Sequence, residues 1–76
     1  MIWQRVVSHA LSHVGYDIAT RTLEIRFNTG RMVRYLGVPR AVYATLIGSD
    51  LVAPIFFALV HDRYPVVAMA PSTQVN

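Results

Sequence analysis

Thr22 to Pro39 reads TLEIRFNTGRMVRYLGVP, and this stretch predicts a β-hairpin. Leu23, Ile25 and Phe27 alternate with polar residues, which is the period of a strand with one buried face. Asn28-Thr29-Gly30 then supplies a turn in which the glycine takes the left-handed conformation. The hairpin therefore has an apolar face and a polar face.

Pairing Phe27 with Arg31 across this turn fixes the register of the predicted hairpin. The cross-strand pairs are then Leu23–Tyr35, Glu24–Arg34, Ile25–Val33 and Arg26–Met32. The first and third pairs form the apolar face, and the other two pairs carry two arginines. We expect the arginine face to be the place where the chain meets a ligand.

The composition indicates one small and unusually apolar domain. The chain has 76 residues, of which 54% are hydrophobic and 14% are charged, whereas charged residues average about 25% in soluble domains. A domain of this size buries only ~60% of the surface of its unfolded chain, so a single copy hides its apolar residues poorly. We therefore expect a homo-oligomer.

Arginine accounts for all of the positive charge. The formal net charge is +3, and all seven basic residues are arginines. A guanidinium group offers a flat, two-point donor for phosphate and stacks on bases. The chain has no cysteine, which excludes disulfides and thiolate sites. Its longest apolar run, Leu51 to Val60, is too short for a bilayer, which takes about 20 residues. We expect a cytoplasmic protein with no membrane partner.

The remaining sequence predicts an α+β fold in which an antiparallel meander of three or four strands precedes two helices packed on one face. The first helix begins at Pro39, whose fixed φ suits the first turn, and Gly48 ends it. Pro54 fits a second helix only within its first turn, and Ser49 or Asp50 is the expected cap. The predicted segments are strands over 2–8 and 14–17, helices over 39–48 and 51–63, an edge strand or subunit contact over 66–70, and a flexible tail over 71–76 after a single domain spanning 1–70.

The second predicted helix is apolar on almost every side. Such a helix is buried all round, so the side that does not face the sheet needs a partner. We predict that this partner is a second copy of the chain. Phe56 is the expected buried anchor of the helix, and the expected interface residues are Val52, Ile55, Phe57 and Leu59.

The order and spacing of these segments resemble the KTSC domain over roughly residues 7–65. The matching pieces are Val14-Gly15-Tyr16-Asp17, Thr22 to Phe27, Gly30-Arg31, Arg34 to Pro39, Val42-Tyr43, Leu46, Phe56 and Arg63-Tyr64-Pro65. Such domains occur at the C-terminus of some lysyl-tRNA synthetases and as stand-alone bacterial and phage proteins. The resemblance implies a small domain that is suspected of binding RNA and that has no catalytic residues and no cofactor.

Two departures from the family pattern bear on function. The family's central Tyr-x-Tyr motif keeps only Tyr35 here, because Val33 stands in the first position. The outer side of the second helix carries Phe57, Ala58 and Leu59, where the family is polar and basic. This difference favours a subunit interface over RNA binding through that helix.

Patterns for catalysis and metal binding are weak. His9 and His13 lie four residues apart, which suits a shared metal only on a helix, and no acidic or cysteine ligand completes the set. The serines, histidines and aspartates form no nucleophile elbow, and no glycine-rich phosphate loop is present. We therefore predict a binding protein and not an enzyme, with no metal site.

Arginines and tyrosines are the residues predicted to bind a phosphate-bearing ligand. Arginine supplies the anion contacts, the tyrosines and Trp3 can supply stacking surfaces, and the first turn of the first helix adds backbone N–H groups. The candidates are Tyr16, Arg26, Arg31, Arg34, Tyr35 and Arg40. The predicted ligand is RNA or a nucleotide. The alternatives are an oligomeric phage-type sponge for cyclic nucleotide immune signals and a protein-interaction domain without a small ligand.

Overall fold

The computed structural model describes residues 1–69, which form an antiparallel sheet and two helices. The strands lie in the order β1-β2-β3-β4-β5, so each pairs with its neighbour in the chain. The predicted α+β meander followed by two helices is confirmed, and a fifth strand joins it at the edge. The elements are β1 (Ile2–Arg5), β2 (Leu11–Asp17), β3 (Thr22–Phe27), β4 (Met32–Tyr35), α1 (Arg40–Ile47), α2 (Val52–Leu59) and β5 (Val66–Met69).

The hairpin of β3 and β4 has the predicted register in all four pairs. The backbone N–H of Phe27 donates to the carbonyl of Arg31 at 2.8 Å, and the N–H of Gly30 donates to the carbonyl of Phe27 at 2.9 Å. Gly30 has a φ of 91°, which a glycine adopts without a steric penalty. The turn chemistry and the alternation therefore fix the centre of the sheet together.

The ends of the sheet differ from the sequence prediction. β1 ends at Arg5, before the predicted Ser8, and β2 begins at Leu11, before the predicted Val14. A register shift between Leu11 and His13 marks a bulge in β2, which alternation alone does not reveal. β5 pairs with β4 as the predicted edge strand. Residue 70 and the predicted tail over 71–76 lie outside the described residues.

Both helices begin close to the predicted positions. Pro39 is the residue before α1, and Gly48 follows its end and donates its N–H to Ala44. Pro54 lies in the first turn of α2, as expected. The predicted cap is wrong, because Leu51 precedes α2 without a side-chain cap, and the Oγ of Ser49 accepts the N–H of Leu51 at 2.9 Å instead.

α2 ends at Leu59, four residues before the predicted Arg63. The carbonyl of Phe56 accepts the N–H groups of both Val60 and His61, at 2.9 and 3.0 Å. Asp62 then has a φ of 63°, and a right-handed helix does not continue through such a residue. No helix among residues 1–69 is long and apolar enough to cross a membrane.

The core lies between one side of the sheet and the two helices. Phe56 is fully buried, as predicted, and meets the rings of Tyr35 and Phe27 edge-on at 5.7 and 5.9 Å. Tyr16 of β2 stacks on Tyr43 of α1 with ring centres 4.6 Å apart. This packing uses the apolar face of the hairpin and leaves the arginine face on the other side.

Candidate functional site

The side of the sheet away from the helices carries two rows of residues that we call the open face. Successive Cα partners define both rows across the strands. Within residues 1–69, the helices and the core cluster lie on the opposite side. The first row is Trp3, Gly15, Glu24, Arg34 and Val67, and the second is Arg5, His13, Arg26 and Met32.

Trp3 forms an aromatic platform on the open face. A Cβ placed on Gly15 would come within 2.7–2.9 Å of three indole atoms, Cδ2, Cε2 and Cε3. Because these atoms lie at nearly equal distances, the indole lies flat over the glycine. Trp3 is 42% exposed, so the outer surface of the ring faces solvent. A base or another planar group has a stacking partner there.

Arg34 is held next to this platform by Glu24. Its Nε donates to Oε2 of Glu24 at 2.8 Å, and its Nη2 lies 2.7 Å from the same oxygen. Glu24 is only 4% exposed although no helix of residues 1–69 covers it, whereas the side chain of Arg34 is 41% exposed. The pair fixes the orientation of the guanidinium group and neutralises part of its charge.

Arg5 and Arg26 supply the uncompensated positive charge of the second row. Both residues are exposed. The ion pairs formed within residues 1–69 are Arg34–Glu24 and His61–Asp62, so neither arginine has an acidic partner there. His13, between them in the row, makes a contact of 3.0 Å from Nδ1 to the Oγ of Ser12. The open face thus combines a flat aromatic ring with arginines on both rows.

Only part of the predicted ligand-binding set lies on this face. Arg26 and Arg34 do, on adjacent strands. Arg31 lies at the tip of the hairpin, and Arg40 is in the first turn of α1. The six predicted residues therefore do not form one site.

The two tyrosines of the predicted set lie in the core, so their assignment as stacking surfaces is wrong. Tyr16 is fully buried, and its hydroxyl donates to the carbonyl of Val38 at 2.6 Å. Tyr35 is also buried and packs on Phe56. The alternation that exposes Arg34 necessarily turns Tyr35 to the other side of β4. Trp3, the other stacking candidate of the sequence, is exposed on the open face and pairs with Gly15.

The predicted interface residues divide between the two sides of α2. Phe57 and Leu59 are exposed, and Ile55 is half-buried. Val52 is buried in the core, so its assignment to an outer interface is wrong. Self-association through the exposed side of α2 stays a prediction.

The described residues hold no obvious metal centre. No three histidine, cysteine, aspartate or glutamate side chains within residues 1–69 come close enough to share an ion. His13 lies on β2 and not on a helix, and it is separated from His9 by a bend.

Comparisons with known proteins identify relatives of the fold. The family model for the KTSC domain matches residues 7–64. The crystal structure of a KTSC domain protein from Yersinia pestis matches with a TM-score of 0.86 and 25% identity, over 91% of this chain and 97% of that chain. No curated protein matches. Neither description names a ligand or a reaction, and Trp3 and Arg5 precede the range matched by the family model.

Proposed function

The chain belongs to the KTSC domain family, and we propose that its open face binds single-stranded RNA. The observation that carries the proposal is the exposed Trp3 indole lying flat on Gly15, in a sheet face that also carries arginines and that no helix of residues 1–69 covers. Small domains that bind single strands commonly stack bases on sheet aromatics and hold the backbone with basic side chains. The occurrence of similar domains beside lysyl-tRNA synthetases points in the same direction.

The residues have distinct roles in this proposal. A base stacks on Trp3, which is worth ~1–3 kcal/mol. Arg26 and Arg5 contact phosphates, and each charge-assisted hydrogen bond is worth about 1.5–3 kcal/mol when it is desolvated. Glu24 fixes the guanidinium group of Arg34 and neutralises part of its charge, so Arg34 contributes an oriented hydrogen-bond donor more than a net positive charge. The face is about 19 Å wide across five strands, which is enough for a short run of nucleotides.

The shape of the face favours an extended ligand over a cyclic dinucleotide. A pocket for a compact nucleotide encloses most of its surface, whereas the two rows of the open face lie on one side of a sheet. We propose binding without catalysis, since arginine stays protonated at neutral pH and the indole does not titrate. The sponge and the plain interaction domain are outcomes that the following experiment distinguishes.

The experiment is a titration of a labelled single-stranded RNA with the parent and matched variants at two salt concentrations. We expect Trp3→Ala and Arg26→Ala each to weaken binding about tenfold or more, which corresponds to about 1.4 kcal/mol. Arg63→Ala removes the same charge from an exposed residue after α2 and serves as the control, with little effect. Arg34→Lys keeps the charge but loses the two-point donor, so it weakens an extended RNA only slightly.

Salt dependence identifies the class of ligand. Each neutralised phosphate of a single strand contributes a slope of about −0.7 to the logarithmic plot of affinity against salt. A steep slope supports RNA, and a shallow slope with strong sensitivity to Arg34→Lys supports a compact nucleotide. A parent that binds no RNA or nucleotide, or a control that weakens binding as much as Arg26→Ala, would remove the open face from consideration.

A further inference from the structure

A cavity of about 270 Å³ lies on the helix-covered side of the sheet, beside the end of α2. It is separate from the open face, because its lining comes from the hairpin tip, β4, the end of α2 and the start of β5. Aromatic and charged side chains surround it together. The residues that matter to its chemistry are Arg31, Tyr35, Phe57, His61, Asp62 and Tyr64.

Phe57 forms an aromatic wall of this cavity. It is 51% exposed, yet its position is supported by Phe56 at 5.0 Å and by His61 at 5.4 Å, both edge-on. Tyr64 is half-buried and also lines the space. A planar ligand therefore finds ring surfaces that are already in place, and such contacts are worth about 0.5–1.5 kcal/mol beyond the area they bury.

Two opposite charges lie at the cavity without neutralising each other. Asp62 pairs with His61, with Nδ1 and Oδ2 3.3 Å apart, and it makes no ion pair with Arg31. Burial raises the pKa of the Tyr35 hydroxyl, the charge of Asp62 raises it further, and Arg31 lowers it. Both charges thus act on the same phenol, which keeps its proton at neutral pH.

We propose that this cavity binds a small aromatic zwitterion of the α-amino acid type. The ring lies against Phe57 and Tyr64, the carboxylate meets Arg31, and the ammonium group meets Asp62. The volume of about 270 Å³ lies just below the range of pockets for drug-sized ligands, about 300–1,000 Å³, which suits one ring with a short charged substituent. This site is independent of the RNA proposal.

The charges argue against a nucleotide at this position. A phosphate would have Arg31 as its single arginine among the lining residues and would lie near the carboxylate of Asp62. A zwitterion places its carboxylate at Arg31 and its ammonium group at Asp62, which also contacts His61, and an arginine guanidinium pairs well with a carboxylate. The volume also favours a ligand smaller than a dinucleotide.

Three probes test which groups of the ligand are recognised. L-phenylalanine carries both charges, 3-phenylpropionate lacks the ammonium group, and phenethylamine lacks the carboxylate. Ligand-observed NMR or calorimetry measures the affinity of each for the full chain. We expect L-phenylalanine to bind about tenfold more tightly than either analogue, which is about 1.4 kcal/mol. Equal binding of all three, or no binding of L-phenylalanine at millimolar concentration, would overturn the proposal.

Variants locate the site and separate it from the open face. Arg31→Gln and Asp62→Asn each reduce binding of L-phenylalanine to the level of the analogue that lacks the matching charge. Asp62→Gly gives the same loss and suits the φ of 63°, so a loss in both Asp62 variants is not a folding defect. Arg63→Gln and Trp3→Ala leave the affinity unchanged. If Trp3→Ala abolished binding instead, the ligand would lie on the open face and the proposal would fail.

Discussion

The two sides of the sheet bury their side chains in different ways. On the covered side, the helices bury aromatic and aliphatic residues. The buried hydroxyl of Tyr16 donates a hydrogen bond to the carbonyl of Val38. On the open side, Glu24 is almost as well buried although no helix of residues 1–69 lies over it. Its neighbours in the row are Gly15, under the Trp3 indole, and the paired Arg34. One side is therefore a core and the other is a thin layer of side chains.

The largest expected effect is on the covered side. Phe56→Ala removes a fully buried ring that contacts Tyr35 and Phe27. We expect a loss of ~3–5 kcal/mol in the free energy of unfolding, which leaves little stability in a domain with about 5 kcal/mol to lose. Urea unfolding followed by circular dichroism measures the loss.

The neighbouring residue provides the control for this comparison. Phe57→Ala deletes the same ring from a half-exposed position, so we expect less than half of the loss seen at Phe56. Similar losses in the two variants would mean that α2 is buried on both sides, as in an oligomer through its outer side.

The covered side is also the part that the sequence predicts best. Alternation and a glycine turn determine the β3–β4 register locally, and Phe56 follows from the helical spacing of apolar residues. In that register Tyr35 already lies opposite Leu23 on the apolar side, which conflicts with stacking beside Arg34. The same alternation that places Leu23 in the core therefore predicts that Tyr35 is buried as well.

The open side depends on contacts between distant parts of the chain. Trp3 lies on a short strand whose alternation is weak, so the sequence offers it as a stacking candidate without showing that it pairs with Gly15. The early end of α2, on the covered side, has a local cause. Asp62 adopts a backbone conformation that sequence patterns assign mainly to glycine. The hydrophobic periodicity of one segment does not reveal which distant strand it pairs with or which residue takes a positive φ.

The second prediction concerns the support of the indole on the open side. Gly15→Ala places a Cβ within 2.7 Å of the Trp3 ring, so the ring has to move away from the sheet. We expect a loss of about 1 kcal/mol in the free energy of unfolding and a red shift of the tryptophan emission. The emission is specific, because Trp3 is the single tryptophan of the chain.

A double-mutant cycle tests whether the two positions act through each other. In the Trp3→Ala background the added methyl group meets no ring, so we expect Gly15→Ala to cost little or nothing there. An equal cost with and without the indole would show that the glycine is needed for another reason. An unchanged emission in Gly15→Ala would contradict the flat packing itself.

The smallest expected effect is a pH-dependent change in the free energy of unfolding, and it arises on the covered side. Burial and, second, the charge of Asp62 raise the pKa of Tyr35 above its ordinary value of 10.0. Above that pH the unfolded chain releases this proton and the folded chain retains it, so the free energy of unfolding falls as the pH rises. Below pH 10.0 both states keep the proton, and this contribution is fully present.

Tyr35→Phe removes this titration, so its free energy of unfolding falls less steeply than that of the parent above pH 10.0. Asp62→Asn removes one of the two causes of the raised Tyr35 pKa. We expect its free energy of unfolding to fall with a slope between those of the parent and Tyr35→Phe. Urea unfolding at neutral pH and at a series of alkaline pH values measures both, with each variant's own neutral value as its reference. Parallel curves for the parent and Tyr35→Phe would show that the phenol has the same pKa in the folded and unfolded chains.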